Sequence, residues 1–257
     1  MNMITVGNIY DGLDAIAPFA AAEPWDNSGL LVGSPDMPVR RILFALDVTR
    51  AVLEEANKLS CQLIISHHPV IFEPLKSLSA EHIVYRLAVS GICVISTHTN
   101  LDIAKGGVND ALAEAIGLSG LKPLHVLENG STIGYAGNLQ TQMNPADFAQ
   151  LVKDRLCAGG VRAVSGRGDI SAVAVCGGSG AKYLGDAKRL GTQAMVTGEV
   201  LHHLWLLAEE LGITLVEAGH FATENVVLAP LMKKMRERFP SVELVMSKAG
   251  TDGVRYV

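Results

Sequence analysis

Several things this chain lacks narrow what it can be. No uninterrupted run of about 18 apolar residues occurs, so a membrane-spanning helix of ordinary length is excluded. The four cysteines, Cys61, Cys93, Cys157 and Cys176, lie far apart and form no CxxC. They read as reduced core thiols, and neither a disulfide framework nor a thiolate zinc site is expected. Positive charge is not in excess: 21 Lys and Arg against 26 Asp and Glu leave a net charge of −5. That balance argues against non-specific binding to nucleic acid or to an anionic membrane, and nucleic acid is not an expected partner. The one basic cluster, KKMRER at 233–238, falls in a helical pattern and reads as a solvated face. There is no P-loop, no Ser- or Pro-rich linker and no low-complexity segment. The opening residues, MNMITVGNIYDGLDAIAPFAAAEPWDNSG, lack a basic n-region and carry acidic side chains through their apolar stretch, so a cytoplasmic location is expected.

What is present is 257 residues, enough for one large or two ordinary domains with a sizeable core. Short aliphatic runs alternate with helical patterns, the signature of βαβ units and of mainly parallel sheets. RILFALD at 41–47, CQLIIS at 61–66 and ICVIST at 92–97 read as strands. Between them, TRAVLEEANKLS reads as a helix capped by Thr49, and AEHIVYRLAVSG as a helix ended by Gly91. The rhythm returns later: SAVAVCGGSG is a strand with a glycine-rich turn, AKYLGDAKRLG a helix, TQAMVTGE a strand, VLHHLWLLAEELG a helix, and ITLVEAGHFATE a strand ending in histidine. Asn144 and Pro145 mark a helix start between the two halves, and a final helix at about 222–237 precedes the strand VELVMS. The fold class expected is therefore α/β, as two pseudo-repeated lobes.

LIISHHPVIF, residues 63–72, is the oddest stretch, a buried strand running into two histidines and a proline. Sites in open α/β sheets form outside the carboxyl ends of the strands. Strands here deliver His67 and His68, His98 and Asp102, and His220 and Glu224 to such ends. Imidazole and carboxylate together suit zinc, iron, manganese, cobalt or nickel better than calcium or magnesium. Adjacent side chains on an extended strand point to opposite faces, so His67 and His68 are expected to serve two ions rather than one. His220 and Glu224 lie one turn apart if a helix begins there. The carboxylates of Asp102 and Glu224 can bridge two ions about 3.5–4 Å apart, the spacing of hydrolytic two-metal sites. By contrast, His202 and His203 fall inside a helical pattern and read as surface or packing residues. The CGGSG turn at 176–180 fits either an anion cradle or tight strand-to-helix geometry.

WDNSGLLVG, ISHHPVIF, STHTNLD, VTGEVLHH and AGHFATE occur in the order, and at about the spacing, of the Nif-three-like dinuclear metal-centre family of toroidal hexamers, whose members are often labelled GTP cyclohydrolase 1 type 2 homologues. The sequence resembles that family over nearly its whole length. The resemblance implies two interlinked lobes, residues 1–125 with 218–257 binding metal and 126–217 inserted between. It also implies a homohexamer built as a trimer of dimers, and two divalent transition-metal ions per subunit. His67, His68, Asp102, His220 and Glu224 match the ligand positions, with Glu224 as the expected bridge. His98 matches a further histidine near the metals, suited either to supporting the ligands or to proton transfer. The implied activity is metal-dependent hydrolysis of a nucleotide or purine-like small molecule; a metal-handling or regulatory protein without turnover is the alternative.

Overall fold

The structure, a computed structural model, describes residues 3–257. Along them run the strands β1 (Gly29–Val32), β2 (Arg41–Ala45), β3 (Leu63–Ser66), β4 (Cys93–Ser96), β5 (Ser119–Val126), β6 (Thr132–Met143), β7 (Arg162–Val164), β8 (Ile170–Cys176), β9 (Ala194–Thr197), β10 (Thr214–Glu217) and β11 (Glu243–Met246). Two sheets result, ordered β1-β4-β3-β2-β11 and β5-β6-β8-β9-β10-β7. The chain divides into two compact units, one holding the residues up to Lys105 with Leu228–Thr251, the other Gly106–Val227 with Asp252–Val257. Each unit owns one sheet. The chain therefore leaves the first unit, builds the second, and comes back, which is the interlinked arrangement expected. The sequence puts the crossings near 125 and 218, but in the structure they fall at 105/106 and 227/228. Packing explains the difference: helix Val108–Ile116 lies against β6 and β8, and helix His220–Glu224 lies against that same helix.

In the first unit β2, β3 and β4 run parallel and in sequence order, linked by helices Arg50–Lys58 and Ile83–Ser90. β3 and β4 are buried at every residue, which is why they read as unbroken apolar runs rather than alternating ones. Thr49 caps the first helix by accepting from the Val52 N–H at 3.2 Å. Gly91 ends the second at φ +66, a conformation that favours glycine. β11 adds in parallel beside β2, and β1 closes the far edge in antiparallel sense.

The second unit repeats the theme with β8, β9 and β10, parallel and in order, linked through helices Leu184–Arg189 and His202–Leu211. In both units the third strand of the trio carries a short antiparallel edge strand, β1 on β4 and β7 on β10. The second sheet is nonetheless mixed rather than mainly parallel. β5 and β6 are joined by a turn closed by Leu127 N–H to Ser131 O at 2.7 Å, and so short a connection can only return antiparallel. β6 then pairs antiparallel with β8.

The segment read as one strand through 224 and one helix from 222 is built otherwise. β10 stops at Glu217, Gly219 turns at φ +90, and His220–Glu224 is a short helix. A 3-10 turn, Asn225–Val227, precedes the long helix Leu228–Arg238. Pro230 lies in that helix's first turn, where a missing N–H is tolerated, and would break a helix continuing through it. All four cysteines are free and three are buried; burial pushes the Cys61 thiol up to about 11, as suits an inert core thiol. Among the described residues no helix is long and apolar enough to cross a membrane.

Candidate metal centre

At the tip of β3 the strand ends at Ser66 and the chain bends. The backbone N–H groups of His67 and His68 both donate to Leu46 O, at 3.2 and 3.0 Å. Two successive donors on one acceptor cannot belong to an extended strand, whose N–H groups alternate in direction. The expectation that these side chains point to opposite faces therefore fails. Their rings lie 5.0 Å apart at 41°, each offering a ligand nitrogen within 4.8 Å of the other. The carbonyl of His68 accepts from the hydroxyls of Ser66 at 2.9 Å and Ser96 at 3.2 Å, which anchors the bend.

His67 is fully buried, and its Nδ1 lies 2.7 Å from Thr97 O. A carbonyl can only accept, so Nδ1 carries the proton and Nε2 holds the lone pair. Asp102 Oδ1 lies 3.5 Å from that Nε2. His68 Nδ1 meets Asp47 Oδ1 at 2.7 Å. His98 Nδ1 meets Asp26 Oδ1 at 2.7 Å, and its ring stands 5.4 Å from that of His67 and 5.7 Å from that of His68. The first unit thus brings together His67, His68, His98 and Asp102 as expected.

Asp26 was not foreseen as part of this group, and it is the most heavily bonded carboxylate there. Its side chain is fully buried. Oδ2 accepts from the hydroxyls of Ser28 and Thr99, both at 2.7 Å, and from the Thr99 N–H at 3.1 Å. Burial by itself would raise its pKa, but the hydrogen bonds from His98, Thr99 and Ser28 and the His98 charge outweigh it and hold the carboxyl far below the usual range. Asp26 is thus ionised and accepts from His98 Nδ1–H.

In the second unit His220 and Glu224 share one face of their short helix, with His220 Nε2 3.0 Å from Glu224 Oε2. His220 Nδ1 meets Glu199 Oε1 at 3.0 Å, and Glu199 Oε2 accepts from the Ser179 hydroxyl at 2.8 Å. The hydrogen bond from the Ser179 hydroxyl, with the hydrogen bond and charge of His220, outweighs burial and lowers the Glu199 pKa. Glu224 is buried against the glycine-rich turn after β8. A Cβ on Gly178, where φ is +56, would collide with Glu224 Oε1 and come within 3.2 Å of His220 Nε2. Close approach of backbone to carboxylate thus accounts for Gly178, while a Cβ on Gly180 would collide with Cys176, which is the tight strand-to-helix geometry. His202 and His203 are exposed on their helix.

A family model, Duf34/NIF3 (NGG1p interacting factor 3), matches residues 4–253. The chain belongs to the Duf34/NIF3 family. A relative from Clostridium perfringens named GTP cyclohydrolase 1 type 2 homolog is 32% identical over 98% of this chain and 99% of its own length. Among solved structures, a hypothetical protein of Staphylococcus aureus superposes with a TM-score of 0.93 at 29% identity, covering 100% of both chains. A Bacillus cereus protein related to NIF3 superposes with a TM-score of 0.94 at 26% identity over the same full coverage.

Within this Duf34/NIF3 chain, His67, His68 and Glu224 supply donor atoms of the kind that could hold a metal ion. The carboxylates that orient the histidines, Asp26, Asp47 and Glu199, are what residue reading left out. Asp26 and Glu199 lie in motifs that carried the resemblance, WDNSGLLVG and VTGEVLHH, and Asp47 ends β2's apolar run. No local pattern ties any of them to its histidine.

Proposed function

We propose that this protein is a metal-dependent hydrolase acting on a nucleotide or purine-like small molecule, with His67, His68, Asp102, His220 and Glu224 as ligands of two divalent transition-metal ions. One observation carries the reading: His67, His68 and His220 each have Nδ1 on a backbone carbonyl or carboxylate oxygen, which leaves Nε2 as the ligand nitrogen, and His98 is anchored through Nδ1 in the same way. Second-partner anchoring of this kind fixes the tautomer and ring direction of metal-binding histidines and raises their basicity. The mixed imidazole and carboxylate donor set fits zinc, iron, manganese, cobalt or nickel.

Ions bound there would lower the pKa of water and polarise the bond it attacks. The chain's own part is orientation and proton handling. Asp47 and Glu199 hold His68 and His220 in their ligand tautomers, and the Thr97 carbonyl does the same for buried His67. His98, backed by ionised Asp26, is placed to take or return a proton through Nε2. The same reading carries a homohexamer, a trimer of dimers, which sedimentation of the purified protein would check.

Elemental analysis tests the reading. About two ions per chain are expected, with fewer in Glu224→Gln and His67→Ala, and turnover of a nucleotide panel is expected only in the loaded protein. Unchanged metal content in both variants overturns the ligand set. Full loading with ion exchange and no turnover favours the metal-handling alternative.

A further inference from the structure

Beside His98 stand two large aromatic rings that the core does not use. Trp25 is 60% exposed and Phe72 is 51% exposed. Their ring centroids lie 6.0 Å apart at 60°, and each is 6.1 Å from the His98 ring, nearly perpendicular to it at 80° and 81°. Neither ring is a stray on a loose loop. Asp26, next to Trp25, is the carboxylate that grips His98 and the start of the following helix. Asn27 Nδ2–H donates to Ile71 O at 2.6 Å, which ties the loop of Trp25 to that of Phe72. Hydrogen bonds one residue away from each aromatic thus fix both around one imidazole.

We infer that Trp25 and Phe72 form the stacking corner that holds the planar heterocycle of a nucleotide substrate against His98. This deepens the hydrolase reading and rests on it. The angles favour a flat, nitrogen-bearing ring over a flexible chain. A base stacked on the indole lies parallel to it, so it meets the His98 ring nearly at right angles and presents its edge to the imidazole. That edge carries ring and exocyclic N–H groups, and one of these can donate to Nε2, which holds the lone pair because Nδ1–H is given to Asp26. Phe72, tilted at 60°, closes the side of the base rather than a second parallel face. An open corner accepts bases of different size, so the selectivity expected is for a planar base over none, and for purine over pyrimidine by stacking area.

Calorimetric titration with guanosine 5′-monophosphate and with ribose 5-phosphate tests this on the purified, metal-loaded protein. The two probes share the phosphate and differ in the base. The base should strengthen binding by about tenfold or more, in the range that stacking on one aromatic supplies. Trp25→Ala should abolish that advantage, Phe72→Ala should reduce it, and Trp25→Phe should keep most of it. Equal binding of both probes to the unmodified protein, or an unchanged base advantage in Trp25→Ala, overturns the inference. Metal content measured on the same samples keeps the two ideas apart. Ions retained without a base effect sink only the stacking corner, and a base effect without ions sinks only the metal reading.

Discussion

Four histidines here share one device, an oxygen on Nδ1, yet the oxygens differ in cost and in reach. His67 uses a backbone carbonyl, which brings no charge into its fully buried surroundings. His68 uses Asp47, whose side chain is 47% exposed and keeps part of its hydration. His98 uses fully buried Asp26, an ionised group that needs its four further hydrogen bonds, from Asn27 N–H, the Ser28 hydroxyl and the Thr99 hydroxyl and N–H, to remain there. Asp26→Asn should therefore lower stability at neutral pH by about 1–3 kcal/mol, as for a charged hydrogen-bonded group losing its acceptor role. The pH dependence has a definite sign. Because the folded-state pKa is depressed, the contribution of Asp26 is complete above the ordinary aspartate value and drains away as pH falls below it toward the folded-state value. Acid unfolding followed by circular dichroism should show the variant less stable at pH 7 and the gap narrowing steadily as pH falls below about 4. A constant gap at all pH values would refute the assignment.

At the scale of elements, the device is delivered by ends of strands rather than by their bodies. β3 stops at Ser66 so that His67 and His68 can curl over Leu46 O, and β10 stops at Glu217 so that Gly219 can start the helix of His220 and Glu224. The turn after β8 then fits against that helix only because Gly178 lacks a Cβ. Gly178→Ala should cost stability and metal together, since the methyl displaces Glu224 Oε1 as well as straining a left-handed backbone. Gly191, at φ +76 with open space around it, supplies the control. Gly191→Ala should show only the conformational cost, about 1–2 kcal/mol, with full metal content. Thermal melts paired with metal analysis would separate the two, and equal metal content in both variants would show that Glu224 does not need the glycine.

On the scale of the whole molecule, each unit carries its own sheet, the first orients His67, His68 and His98 and the second His220, and the chain passes out of the first unit and back into it. If the ligand sets hold ions in the folded state, stripping with a chelator should lower the melting temperature, and restoring the metal should raise it again. Linkage sets the size, about 2.7 kcal/mol when free metal is a hundredfold above its Kd. A melting curve indifferent to chelation and reloading would argue that the ions, if bound, are not tied to folding.

Much of this was legible from residues alone. The βαβ rhythm, the caps at Thr49 and Asn144 and the stop at Gly91 depend on neighbours within a few positions, and so they appear in the sequence. The same holds for the kinds of atom offered by His67, His68, Asp102, His220 and Glu224. The bend that turns both His67 and His68 the same way was not legible, because it depends on the carbonyl of Leu46, just past the end of a different strand. Nor were the partners of the imidazoles, since Asp26 reaches His98 across 72 positions. Residue type and local pattern by themselves determined which side chains can bind a cation and that parallel strands would carry them to their tips. Which nitrogen each ring presents, and which aromatic rings stand beside it, only tertiary structure decided, because an imidazole has two equivalent choices until another part of the chain arrives to occupy one.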